Sequence, residues 1–419
     1  MKINQPFLLL LLAYVLSGFS LTGQNLDEPV RKTLFVIMDG ISDDVIRDIE
    51  TPHLDEIASR GAFLPAYVGG EPGTYSETPT ISAVGYNSLL TGTWVNKHNV
   101  WGNAIRNPNY NYWTLFRLLK HQHPGKKAAI FSTWLDNRTK LLGTGLEQTG
   151  GLELDYSFDG FEHDTLHFPH DRETVYIRDI DDFVTDEAAD YIQSHGPDMS
   201  WVYLQFTDNM GHMYGDHPKF HESIRHMDGQ IGQLWEAIQY REKNYNEEWL
   251  MIITTDHGRS ADTGKGHGGQ SERERSTWIV TNTDQINDYG KNHRVAVTDI
   301  FPSISHFMGL SLPRHRAMEL DGVPFIGPAD AAHLKIEKSE DKIGMHWTSY
   351  GKSGKGRVWF SPTNHFKEGG EDLYYFAGEV EMSDESFEFS VKDLPSGFYK
   401  VVLETPHHYL NSWIVEEEN

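Results

Sequence analysis

Three aspartates, Asp39, Asp208 and Asp256, each close a short apolar run: Thr33–Asp39, Trp201–Asp208 and Leu250–Asp256. Histidines stand beside two of them: His212 four residues after Asp208, and His257 next to Asp256, with His267 following in Gly266-His-Gly-Gly269. Carboxylates gathered in one place repel one another unless a cation joins them. Aspartate and imidazole, in a chain without cysteine, make a donor set suited to zinc or manganese. Singly these residues are bland, because a strand-end Asp often caps a helix and a lone His is usually structural. Together, at three strand ends, they predict a hydrolase with more than one metal.

The runs themselves say what positions them. Continuous β-branched and aromatic stretches read as strands buried on both faces, hence a mostly parallel sheet in an α/β fold. In such sheets ligands bind beyond the carboxyl ends of the strands, where all three aspartates fall. Between the runs the pattern predicts helices over 51–61, 83–91, 111–121, 182–194 and 219–241, a strand over 128–131 and a last α/β element over 297–308. Residues 69–79 form a Gly/Pro/Ser/Thr loop, and 143–178 mix Gly, Asp, His and aromatics without periodicity, as a lid or binding loop does. A linker near 328–340 leads to short alternating runs separated by Gly- and Pro-containing turns, the rhythm of a small antiparallel β-sandwich. The division is a metallohydrolase domain over 30–330 and an accessory fibronectin type III/Ig-like sandwich over 341–415. A chain ending near Asp330 is accordingly expected to keep its metals and its small-substrate activity.

The hydrophobic content of 38% excludes a disordered chain. The 36 Lys and Arg against 61 Asp and Glu, a formal charge of −25, exclude a nucleic-acid duplex as the main partner. Residues 1–23, with Lys2, an apolar Phe7–Leu16 and small residues at Ser17, Gly18, Ser20 and Gly23, read as a signal peptide. Its removal leaves no membrane span, and the expected location is periplasmic or secreted.

At Met38-Asp-Gly40, Asp208-Asn-Met-Gly-His212, Thr255-Asp-His-Gly258 and Gly266-His-Gly268 the chain resembles the metal-binding signatures of the alkaline phosphatase superfamily. The branch it is most similar to is type I phosphodiesterase/nucleotide pyrophosphatase, over roughly residues 30–327. The resemblance implies an alkaline phosphatase-like fold and two zinc ions, with manganese as the substitute. One would be held by Asp208, His212 and His267, the other by Asp39, Asp256 and His257. The family's nucleophile segment, Thr-Phe-Pro-Asn-His-Tyr-Thr-Leu-Val-Thr-Gly, matches Ser82–Gly92 in length and puts Ser82, in contact with metal, at the threonine position. Without the metal signatures Ser82 would read as a helix cap; Thr80 and Thr78 are the fallback nucleophiles. The family segment carries an Asn three residues on, taken to hold a phosphoryl oxygen, where this chain has Gly85. Asn103, Arg259 and Asn87 are the candidates for that substrate-binding role. Arg273 or Arg275 faces a substrate anion or pairs with Glu272 or Glu274.

The function this implies is a two-zinc phosphohydrolase working on a small phosphodiester or pyrophosphate through a phospho-enzyme. A phosphomonoesterase on the same fold remains a rival, and so does a non-catalytic glycan-binding protein that uses the aromatics of the sandwich. A sulfatase is disfavoured, since the chain lacks a Cys/Ser-x-Pro-x-Arg segment.

Overall fold

A computed structural model describes residues 28–350 and 354–416; the expected signal peptide over 1–23 lies outside the described residues. Eight strands form the central sheet: β1 (Val30–Met38), β2 (Ala62–Tyr67), β3 (Ala128–Ser132), β4 (Tyr156–Phe158), β5 (Met199–Leu204), β6 (Glu247–Thr254), β7 (Ser276–Thr281) and β8 (Val295–Ala296). Their order is β4-β3-β5-β1-β6-β7-β2-β8, and only β7 runs antiparallel to its neighbours. The sheet is buried on both faces, as the unbroken apolar runs require. Phe35, Ile37, Trp201, Tyr203 and Ile252 pack on one side with the helices Ser82–Thr91, Leu115–Gln122 and Ile300–Met308. Leu34, Val36, Met38, Val202 and Ile253 pack on the other with the helices Pro52–Arg60, Val175–His195 and Pro218–Asn244.

Several boundaries differ from the sequence reading. The helix expected over 182–194 begins at Val175, shortening the irregular stretch, which also holds β4 and the 3-10 turn Phe161–His163. The segment read as a linker is largely a strand, β9 (Ala331–Ser339). Its burial alternates because one face is solvated, and its Lys and Glu residues disguise the period-two pattern. It joins β10 (Lys342–Ser349) and, after β11 (Lys355–Ser361) and β12 (Tyr375–Glu381), β13 (Ser386–Ser390), in a three-stranded antiparallel sheet. β14 (Phe398–Glu404) and β15 (Tyr409–Val415) complete a four-stranded sheet in the order β12-β11-β14-β15. The two sheets meet at Phe360 and Phe389, whose rings are 5.2 Å apart. One continuous apolar cluster runs from Phe35 under the central sheet to Ile343, Val401 and Leu403 between these sheets. Among the described residues no helix is long and apolar enough to cross a membrane.

Candidate active site

The register of the three middle strands sets the site. β1 lies between β5 and β6, with Met38 opposite Leu204 and Ile37 opposite Thr254, so all three chains leave the sheet at one edge. Asp39 follows β1 directly, and Asp256 and His257 lie just past β6. Asp208 does not sit on a strand end, as the apolar run suggested. β5 stops at Leu204, and the chain turns at Gln205 into the helix Phe206–Tyr214, which carries Asp208 in its first turn and His212 one turn on. A buried carboxylate accounts for that turn. Asp181 accepts the backbone N–H of Gln205 (3.1 Å) and of Phe206 (2.8 Å) and a bond from the Thr133 hydroxyl, satisfying amides that a helix start leaves open.

The predicted ligands converge. Asp39, Asp256 and His257 present donor atoms within 4.8 Å of one another, and so do Asp208, His257 and His267. His212 Nε2 lies 3.1 Å from His267 Nε2 and 3.3 Å from Asp208 Oδ2. The sequence reading put His257 in one ligand set alone; the geometry puts it between the two. The far ring nitrogens are tied to backbone carbonyls, His257 Nδ1 to Gly258 at 2.9 Å and His267 Nδ1 to Thr80 at 2.8 Å. This leaves each Nε2 facing the cluster, the orientation a metal-binding imidazole needs.

Tyr86 and Tyr203, which nothing in the sequence marked, both donate to Asp39 Oδ2, Tyr203 at 2.7 Å. Asp39 Oδ1 and Asp256 Oδ2 are buried without a protein donor. Burial, then the Asp208 charge, pushes Asp39 up to about 7, and burial with Asp39 nearby raises Asp256 well above the carboxylate range. Burial works the other way on His257, which together with His267 holds it well below its ordinary value. Burial also raises Asp208, but the His212 hydrogen bond and the Arg259 guanidinium outweigh it and bring Asp208 below the usual range. Buried carboxylate oxygens without donors, next to imidazole nitrogens, fit divalent cations.

Ser82 opens the helix Ser82–Thr91 beside this cluster, its Oγ 3.3 Å from His257 Nε2. The fallback hydroxyls are engaged elsewhere: Thr80 Oγ1 donates to Gly269 O, and Thr78 Oγ1 to Ser76 O. The glycine at position 85 has a steric reason. A Cβ there would come within 2.6 Å of the Asp256 carbonyl oxygen, so the Ser82 helix can lie against this ligand strand only with glycine at that point. Of the candidates for its missing role, Asn87 is buried within the helix, while Asn103 reaches the helix start, its Oδ1 accepting the Ala83 N–H at 3.0 Å.

Arg259 is placed differently from its sequence role. It is fully buried, with Nη2 2.5 Å from Asp208 Oδ1 and Nε donating to Gly40 O, so it holds one of the candidate ligand aspartates instead of facing the crevice. Arg273 pairs with Asp44 and Asp216 and not with Glu272 or Glu274, and Arg275 bonds the carbonyls of Val68 and Gly70. Removing one partner of a buried ion pair costs about 3–5 kcal/mol. Arg259→Leu should lower the stability of metal-free protein by that amount in urea denaturation; a change under about 1 kcal/mol would mean the pair is unimportant.

His98, the last residue of the helix Val95–His98, is buried and lies outside the ligand cluster. Its Nδ1 accepts the Val100 N–H at 3.1 Å and its Nε2 lies 3.1 Å from Ser88 Oγ, which itself donates to Val84 O. The ring is therefore neutral with the proton on Nε2, and burial pushes its pKa down to about 3. The unfolded chain takes up this proton near pH 6.5 and the folded one only near 3. The contribution is thus present above 6.5 and is lost as pH falls through that window, on the order of 5 kcal/mol in all. His98→Gln should flatten the acid limb of unfolding free energy against pH between those values; an unchanged slope would contradict this.

Residues 33–263 match the family model for type I phosphodiesterase/nucleotide pyrophosphatase. The chain is 24% identical over 245 residues to human ectonucleotide pyrophosphatase/phosphodiesterase family member 7, covering 54% of this chain and 47% of that protein. The rat protein of the same name is 25% identical over 245 residues, with 54% and 49% covered. The chain thus spans about half the length of the curated relatives it matches. Among solved structures, the phosphonate monoester hydrolase of Agrobacterium radiobacter has a TM-score of 0.50 at 14% identity, covering 85% of this chain and 90% of that one, a likeness of fold alone. The family match runs through β1, the Ser82 helix and both acidic strand ends, and the chain belongs to the type I phosphodiesterase/nucleotide pyrophosphatase family.

Proposed function

We propose that this protein hydrolyses a phosphodiester or pyrophosphate bond with Ser82 as nucleophile. The observation that carries the reading is the Ser82 hydroxyl at a helix start, 3.3 Å from His257, within a cluster of three aspartates and three histidines. When bound, two divalent cations, zinc or manganese, supply charge neutralisation at the phosphoryl oxygens and favour the ionised Ser82 hydroxyl. Asp39, Asp256 and His257 would hold one, and Asp208, His212 and His267 the other, with His257 adjoining both. The positive end of the Ser82 helix adds to the stabilisation of an alkoxide. Ser82 Oγ forms a bond to phosphorus, the bond to the leaving oxygen breaks, and water later cleaves the phosphoserine. Asn103, whose Oδ1 accepts the Ala83 N–H at the same helix start, is the residue we assign to hold a phosphoryl oxygen through its amide N–H.

Charge argues for a diester. A monoester brings about one more negative charge, which needs a further cation in the site. Arg259, Arg273, Arg275 and Lys97 are each engaged by protein groups, and the other candidate cation, Arg106, is exposed. kcat/KM for bis-nitrophenyl phosphate should therefore exceed that for the nitrophenyl monoester; a tenfold reverse preference would move the assignment to phosphomonoesterase.

A further inference from the structure

Strand β15 lies far from the acidic cluster in sequence, yet it grips both ends of the segment that carries Ser82. At the leading end is Tyr75, in the loop before the helix. Its ring stacks on Trp413 with centroids 5.4 Å apart, and its hydroxyl lies 3.2 Å from Ser412 Oγ and accepts the Trp413 N–H at 3.0 Å. Five residues on, the carbonyl of Thr80 receives His267 Nδ1, and its hydroxyl accepts the Gly268 N–H at 2.9 Å. The stretch that β15 holds at Tyr75 thus orients the imidazole of His267 and then delivers Ser82.

At the trailing end is Lys97, which is fully buried. Its ammonium donates to Asp321 Oδ1 (2.5 Å), to Asn411 Oδ1 of β15 (2.7 Å) and to Glu319 O (2.8 Å), so all three protons are placed. Asp321 also accepts the Trp94 N–H, and its own N–H bonds the carbonyl of Gly92, the residue that ends the Ser82 helix. The helix Val95–His98, which carries Lys97, is tied back to the leading loop through Val95 N–H to Thr78 Oγ1. The Trp413 ring packs against both Lys97 and a second fully buried lysine, Lys400, whose ammonium groups are 5.3 and 5.6 Å from its centroid. Lys400 in turn binds Glu319 and Asp372. Such a buried ionic network has one satisfied arrangement, so a shift at β15 is passed on instead of being absorbed.

We propose that β15, through Trp413, Ser412 and Asn411, is a positioning element of the active centre that sets the placement of Ser82 and His267. This deepens the proposed function and rests on it for the activity arm only, because the orientation of His267 can be read without turnover. It runs against the expectation that a chain ending near Asp330 would keep its activity, because such a cut removes Asn411 and Trp413 and leaves Lys97 without two of its contacts.

The test uses the full chain. Trp413→Ala should lower kcat for bis-nitrophenyl phosphate roughly tenfold to hundredfold, the range for residues that orient metal ligands. KM should hold within about twofold, as for an interaction made in the transition state. In cobalt-substituted protein the same variant should shift the visible absorption bands, and Trp413→Phe should restore most of both. Phe389→Leu, in the other sheet of the pair, should lower Tm without moving the cobalt spectrum. If Trp413→Ala does not fold, Tyr75→Phe, which deletes one hydroxyl and keeps the stack, should still shift the spectrum. A folded Trp413→Ala with wild-type bands, or equal shifts from Phe389→Leu, would overturn the proposal. Band shifts in Trp413→Ala, with a wild-type protein that hydrolyses no diester, would uphold it and refute the proposed function instead.

Discussion

Ser82→Ala should lower diester turnover by roughly a thousandfold or more, as loss of a covalent nucleophile does, with metal content nearly unchanged. Hydroxyl and ligands are separate groups: Ser82 Oγ approaches His257, while the carboxylates are held by Tyr86, Tyr203, Arg259 and the Gly40 N–H. Ser82→Thr should keep part of the activity, because the family segment has threonine there. Steady-state rates alongside metal analysis read both outcomes. Normal turnover by Ser82→Ala would sink the nucleophile assignment, and Thr80 would be a poor substitute, since its hydroxyl already bridges Gly268 and Gly269.

The second large effect concerns the metals. Asp208→Ala or His267→Ala should remove about one metal ion per chain and lower activity by roughly a hundredfold or more. Asp208 is the more damaging of the two, because Arg259 would be left buried without its carboxylate. Its alanine variant should therefore also lose stability, which His267→Ala, at the edge of the cluster, should do to a smaller degree. Equal metal content in the variants and the wild type, by elemental analysis, would contradict the ligand set.

Much of this site was legible because the residues that define it follow local rules. Strand ends with Asp39 and Asp256 come from runs whose apolar composition has one interpretation, and Ser82 opens a helix closed by Gly92 in the left-handed conformation. Asp208 was misplaced because the run from Trp201 to Asp208 has no Gly or Pro to mark the strand-to-helix turn at Gln205, and what ends β5 there is Asp181, brought in from another helix. β2 and β7 went unread, β2 in part because Pro65 interrupts it. Arg259 shows a different limit: a guanidinium suited to a substrate anion is equally suited to a protein carboxylate, and only the fold decides. Tyr75 and Trp413 are 338 positions apart, a separation at which no periodicity or motif signals contact.

The most direct measurement strips the purified protein of metal with a chelator and titrates zinc back while following bis-nitrophenyl phosphate hydrolysis. Activity should fall to background and return as about two equivalents per chain are bound, the number expected from two groups of three ligands. Full diesterase activity in the metal-free protein would contradict the account.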